Sequence, residues 1–93
     1  MLTHVVLFKF ADPAAAETAA AKLAAMDGRI ETLRGIQVGL DVSKSARSFD
    51  VALITRFDDQ AGLDAYAVHP VHQEVVSYIK ANAEKSIVVD YLA

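Results

Sequence analysis

The sequence contains no cysteine, which removes disulfides, thiolate metal ligands and a cysteine nucleophile together, and makes a reducing cytoplasm the expected compartment. It has no apolar run approaching the roughly 20 residues of a membrane-spanning helix, and its start has no charged, apolar and small-residue leader of the secretory kind. Twelve acidic residues face nine basic ones, for a net charge of -3. The basic residues are scattered, so the electrostatic footprint of a nucleic-acid-binding surface is missing. Neither nucleic acid nor membrane is an expected partner.

What the chain has in excess is apolar surface. Its 93 residues suit one domain spanning 1–93, and a chain of that length buries only roughly 60 to 65% of its unfolded surface. Yet 54% of the residues are hydrophobic and the mean hydropathy is positive. One small core does not need that much, so the remainder is expected in a subunit interface.

Residues Leu2 to Phe10 are β-branched and aromatic and read as a strand, with His4, Val6, Phe8 and Phe10 on one face. Asp12-Pro13 is an N-cap with proline at the first helical position. The alanine-rich stretch that follows carries Ala19, Leu23, Met26, Ile30 and Leu33 at steps of four and three, the stripe of a long helix interrupted at Gly28. Gly35 marks its stop, and Ile36, Val38, Leu40 and Val42 alternate in a second strand. The polar stretch Ser43 to Ser48 has no Gly or Pro to define its turn. Phe49 to Phe57 reads as a third strand, and Asp58-Asp59 caps a short helix through Ala67. Pro70 starts another helix running to about Glu84, and Ile87 to Leu92 is the fourth strand. The order β-α-β-β-α-β implies an α+β, ferredoxin-like sandwich with a four-stranded antiparallel sheet, helices on one face only. The uncovered face is expected to pair with a second copy, giving a homodimer through the sheet.

Two of the three histidines lie within Tyr66-Ala-Val-His69-Pro70-Val-His72. Helical phase puts His72 with Val75, Val76, Ile79 and Ala83 in an arc of roughly 100° that faces the sheet. Tyr66 shares the inward face of Leu63, and His4 can reach both from the first strand. A single histidine on an apolar face is more often a hydrogen-bonded core residue than a catalyst. Three inward polar groups together must bond to each other, to water or to a ligand, because an unpartnered buried group costs about 1 to 3 kcal/mol. The expected site is therefore His4, Tyr66 and His72 in a chamber walled by Val6, Phe8, Met26, Leu63, Val76 and Ile79. His69, before a proline at a helix junction, reads as a capping residue. It lies off the face that carries His72, which disfavours a zinc site. Ser77 lies on the far side of the helix from His72, and no nucleophile elbow is present. No metal or cofactor is expected.

Five segments in order, Thr3-His4-Val5-Val6-Leu7-Phe8-Lys9-Phe10, Leu33-Arg34-Gly35-Ile36, Gly39-Leu40-Asp41-Val42-Ser43, Tyr66-x-x-His69-Pro70-x-His72 and Val89-Asp90-Tyr91, resemble the stress-responsive A/B barrel (Dabb) domain family. The resemblance covers nearly the whole chain and implies a dimeric α/β barrel of ferredoxin-like protomers. Most such domains have no established reaction. One branch, the plant olivetolic acid cyclase, closes a linear polyketide by aldol chemistry with a strand-one His, a Tyr and the second His of the junction. By position those are His4, Tyr66 and His72. The cyclase sets bulky aromatics along its first helix, where this chain has Ala15, Ala16, Ala19 and Ala20. The residues together with the resemblance imply three possible functions: a dimeric domain binding a small apolar or aromatic molecule, a cofactor-independent polyketide cyclase-like lyase, or a cofactor-free monooxygenase on the same barrel.

Overall fold

Alternating β-branched and aromatic residues make Leu2–Phe10 a strand, β1, and the computed structural model, which describes residues 1–93, places it at the centre of the sheet. Asp12 then caps α1 (Pro13–Ala24), its carboxylate accepting from the Ala14 amide at 3.0 Å. β2 (Gly35–Leu40) and β3 (Val51–Phe57) form a hairpin, α2 (Gln60–Ala67) and α3 (Pro70–Asn82) follow, and β4 (Ala83–Leu92) ends the chain. The strand order is β2-β3-β1-β4 with every neighbouring pair antiparallel. This is the expected ferredoxin-like α+β fold.

Five boundaries differ from the sequence expectation: β2 ends at Leu40, leaving Val42 exposed, β3 starts at Val51, two residues after Phe49, and three more concern the helices and the last strand. The stripe read as one long helix continues past α1 in turns: the Met26 and Asp27 amides bond the carbonyls of Leu23 and Ala24, three residues back, and Gly28 takes a positive φ of 79°. Met26 and Ile30 are buried all the same, so the spacing reported burial and not helix. α3 stops at Asn82, two residues early, because Ala83 turns extended at ψ 141° while its amide still bonds Ile79. β4 therefore begins at Ala83, four residues before the expected start, and pairs with β1 from Phe10 back to Leu2 across a bulge at Lys9/Phe10. The β2–β3 connection, undefined in sequence, is built by side chains. Asp41 accepts from the Lys44 amide at 2.7 Å, Lys44 adopts φ 54°, and the Ser45 and Ser48 hydroxyls bond at 2.6 Å.

On the helix-covered face, Leu2, Phe8 and Phe10 of β1 pack with Val51, Leu53 and Phe57 of β3 beneath Ala15, Ala16, Ala19 and Leu23 of α1. Alanines on the inner face let α1 approach the sheet closely, and Ala19 retains no exposed surface. On the opposite face, cross-strand register aligns Val5 with Ile54 and Val89, and Leu7 with Ala52 and Ile87. No helix covers that face. Ile87, Val89 and Tyr91 are about half exposed there.

The close approach of α1 has a measurable consequence. Ala19→Leu forces side-chain volume between α1 and the sheet, and is expected to destabilise the protein by about 1 to 3 kcal/mol, read as a lower urea midpoint at unchanged slope. Ala21→Leu, on the exposed side of the same helix, is expected to change stability by no more than about 0.5 kcal/mol.

Candidate functional site

The Tyr-x-x-His-Pro-x-His segment is the junction between α2 and α3, and each polar residue in it has a structural task. His69 is the N-cap of α3: its Nδ1 accepts from the Val71 amide at 3.1 Å, and its carbonyl accepts from the Gln73 amide at 2.9 Å. Pro70 occupies the first helical position, where a missing amide costs nothing. The exposed Ala67 carbonyl at the end of α2 is met by two side chains from the first turn of α3, His72 Nδ1 at 3.0 Å and Gln73 Nε2 at 2.7 Å. Those bonds fix the angle between the helices and hold the His72 ring against Tyr66, with centroids 4.2 Å apart.

Beyond the junction three rows of side chains run side by side. β1 contributes His4, Val6 and Phe8; α3 contributes His72, Val75, Val76 and Ile79; and β4, in register, sets Asp90 opposite His4, Val88 opposite Val6 and Ser86 opposite Phe8. Between them is a cleft of about 210 Å³, backed by Leu23, Leu53 and Tyr66. On the β4 side it is bordered by the exposed Ser86. One end carries the His4, Tyr66 and His72 side chains, the other Lys80 and Ser86, and the wall between is apolar.

The electrostatics divide the polar end into a base and a donor. A carbonyl only accepts, so His72 Nδ1 carries the proton in its bond to Ala67, and the lone pair of the neutral ring lies on Nε2. Burial lowers the His72 pKa, outweighing the Ala67 carbonyl that raises it, and the neighbouring His4 and His69 lower it further. The ring is neutral at physiological pH. Tyr66 is 1% exposed, and burial pushes its pKa well above the ordinary phenol value near 10. Its hydroxyl is a donor that stays protonated, and it has no hydrogen-bond partner within the protein. His4 donates from Nδ1 to the Asp90 carboxylate and stands edge-on to Tyr66 at 6.3 Å between centroids.

The cleft unites His4, Tyr66 and His72, and Val6, Phe8, Val76 and Ile79 line it. Met26 and Leu63, expected on its wall, do not. Met26 sits in the turn after α1 and lies at the base of a separate groove with Lys22 and Val71, and Leu63 is sealed in the core. Helical phase gave both the right layer, but the wrong position along it. Asp90, Lys80 and Ser86 were not foreseen as site residues. Ser86, Val88 and Asp90 share a strand face by alternation alone, but which β1 residue each one meets depends on a register that begins at the bulge.

The stress-responsive A/B barrel domain family matches residues 2–93 of the chain. The chain belongs to that family. An uncharacterised protein of Streptomyces coelicolor is 30% identical over 82 residues, 83% of this chain and 84% of its own length. A dimeric ferredoxin-like protein of unknown function from Bacteroides fragilis superposes with a TM-score of 0.88 at 26% identity, covering 99% of this chain and 95% of its own. A hydroxynitrile lyase from Passiflora edulis shares the fold, with a TM-score of 0.82 over 99% of this chain and 92% of its own, at 16% identity. In this A/B barrel domain no helix is long and apolar enough to cross a membrane.

Two predictions follow for the ligand-free domain. Tyr66→Phe removes a buried hydroxyl that has no partner, so stability is expected to hold or to rise by about 1 kcal/mol; a loss of stability in urea unfolding would mean the hydroxyl is satisfied. For His72, the folded pKa lies below the unfolded value near 6.5, so the unfolded chain takes up the proton first. Stability is therefore expected to be flat above pH ~7 and to fall as pH drops below about 6.5 towards the lowered folded value, with His72→Gln flattening that decline.

Proposed function

We propose that this domain is a dimer whose cleft binds a small, largely apolar or aromatic molecule bearing a carbonyl, and that it moves a proton at the carbon beside that carbonyl. The observation that carries the reading is the buried Tyr66 hydroxyl, unpartnered and always protonated, next to a histidine whose free nitrogen is a neutral base. A hydroxyl left unsatisfied in a core is costly, and a ligand oxygen in the cleft relieves the cost. The volume of about 210 Å³ is below the drug-sized range and above the roughly 150 Å³ that accommodates benzene, so a single substituted ring fits.

In the reaction, His72 Nε2 takes the proton from the α-carbon and the C–H electron pair moves into the carbonyl. The Tyr66 hydroxyl donates to the developing enolate oxygen, where a positioned donor stabilises the charge that forms. His4, held by Asp90, stands edge-on to Tyr66 and orients the substrate at this end of the cleft. The enolate then recovers a proton or attacks a second carbonyl of the same molecule. The latter is the aldol cyclisation of a polyketide, the more specific form of this reading. An oxygenase reading on the same scaffold uses a similar apolar pocket but gives the His72–Tyr66 pairing no role.

Dimerisation rests on the uncovered sheet face, with Val5, Leu7, Ile54, Ile87, Val89 and Tyr91 presented together, and on the dimeric state of the Bacteroides fragilis relative. Val5 sits between Ile54 and Val89 near the centre of that face. Val5→Glu is expected to convert a species of twice the 10.0 kDa chain mass into a monomer in sedimentation analysis; a wild-type chain that already sediments as a monomer removes the dimer.

The chemistry is tested with para-ethylacetophenone in heavy water. Wild-type protein is expected to shift the NMR signals of His72 and Tyr66 and to exchange the acetyl protons for deuterium. His72→Gln is expected to lower the exchange rate by about 10² or more, and Tyr66→Phe by a comparable factor. Equal exchange in wild type and His72→Gln excludes the base.

A further inference from the structure

The end of the cleft opposite the His and Tyr side chains is also polar, and nothing in the proton-transfer reading uses it. Lys80, in the last turn of α3, and Ser86, on β4, both line the cleft. Lys80 is in none of the ion pairs of the fold, which join His4 with Asp90, Arg34 with Asp58 and His69 with Glu31. A lysine near a helix C-terminus complements the helix dipole wherever its side chain points; that preference does not account for one that borders a cleft beside a strand hydroxyl.

Geometry sets the separation of the two ends. Ser86 pairs with Phe8 and Asp90 with His4, so the ends lie four strand residues apart, roughly 13 to 14 Å. On the roof, His72 and Lys80 are eight helical residues apart, roughly 12 Å. Apolar side chains, Val6 and Phe8 below and Val75, Val76 and Ile79 above, fill the interval. Lys80 and Ser86 are exposed, so this end is the wetter one, and an anion placed there keeps part of its hydration.

We infer that the cleft is built for an oxo-acid anion: a molecule with its reacting carbonyl at the His72 and Tyr66 end, an apolar or aromatic body, and a carboxylate held at the far end by the Lys80 ammonium and the Ser86 hydroxyl. The inference rests on the ligand reading above and adds the charge and length of the ligand. Lys80 then acts in binding and register, setting which carbon reaches His72.

The test compares para-acetylhydrocinnamate with its primary amide, which has the same body and ketone without the charge. Titration of the full chain followed by NMR is expected to show the acid binding about tenfold more tightly than the amide, with shifts at both His72 and Ser86 and an advantage that shrinks with added salt. In Lys80→Met, which keeps an apolar stem of similar length, the acid is expected to fall to the level of the amide; Ser86→Ala gives a smaller loss in the same direction. Acid and amide binding alike in the wild type, or an acid preference that survives Lys80→Met, overturns the anion site while leaving the proton-transfer reading intact. If neither probe perturbs His72 or Tyr66, both readings fall together.

Discussion

The carbonyl of Ala67 is the contact on which the site depends. It ends α2 without an intrahelical partner, and the first turn of α3 supplies two donors to it, His72 Nδ1 and Gln73 Nε2. One of those bonds is also an electronic instruction. By holding the proton on Nδ1 it leaves Nε2 free as a base, so the tautomer of the ring is set by the same bond that fixes the helix angle. His69 completes the arrangement from the other side of Pro70 by capping α3 with its ring. A histidine pair that looks in sequence like a metal or catalytic motif is thus mostly helix-junction chemistry, and only one of the two rings borders the cleft.

The sheet faces have opposite roles, and the alternation of β1 separates them. Residues 4, 6 and 8 face the helices and form the floor of the cleft, while residues 5 and 7 point to the open side with Ile87 and Val89. β4 belongs to both surfaces, being an edge strand that no helix covers. The same lack of cover that leaves the cleft bordered by exposed Ser86 leaves the other side of β4 apolar and half exposed. Entry to the site and the drive to associate therefore arise from one feature of the topology.

Much of this was legible in the residues. Period-two alternation gave the strands, Asp12-Pro13 and Pro70 gave the helix starts, and helical phase turned His72 and Tyr66 inward. What was not legible depended on longer-range register. Met26 and Ile30 kept a helical spacing through non-helical turns because a buried stripe needs only repeated inward contacts, which i−3 bonded turns around Gly28 also provide. The early start of β4 followed from pairing with β1 through a bulge, and that pairing decided that Asp90 meets His4. No local pattern encodes which of two strands' faces coincide. Asp90, the partner of His4, and Ser86, at the far end of the cleft, are for that reason not legible from either strand alone.

Burial explains why Tyr66 and His72 suit opposite halves of one proton transfer. Removing water disfavours whichever form is charged, so it raises a phenol and lowers an imidazole. Applied to neighbouring rings 4.2 Å apart, one effect yields a hydrogen-bond donor that keeps its proton and a neutral base, without a charged residue between them. The arrangement carries an internal cost, since a donor kept dry and unpartnered weakens the ligand-free fold. An oxygen atom entering the cleft removes that cost and meets the base in the same step. On this view ligand affinity draws on strain already present in the empty domain, and a substitution that relaxes the empty domain at Tyr66 weakens binding by the same interaction.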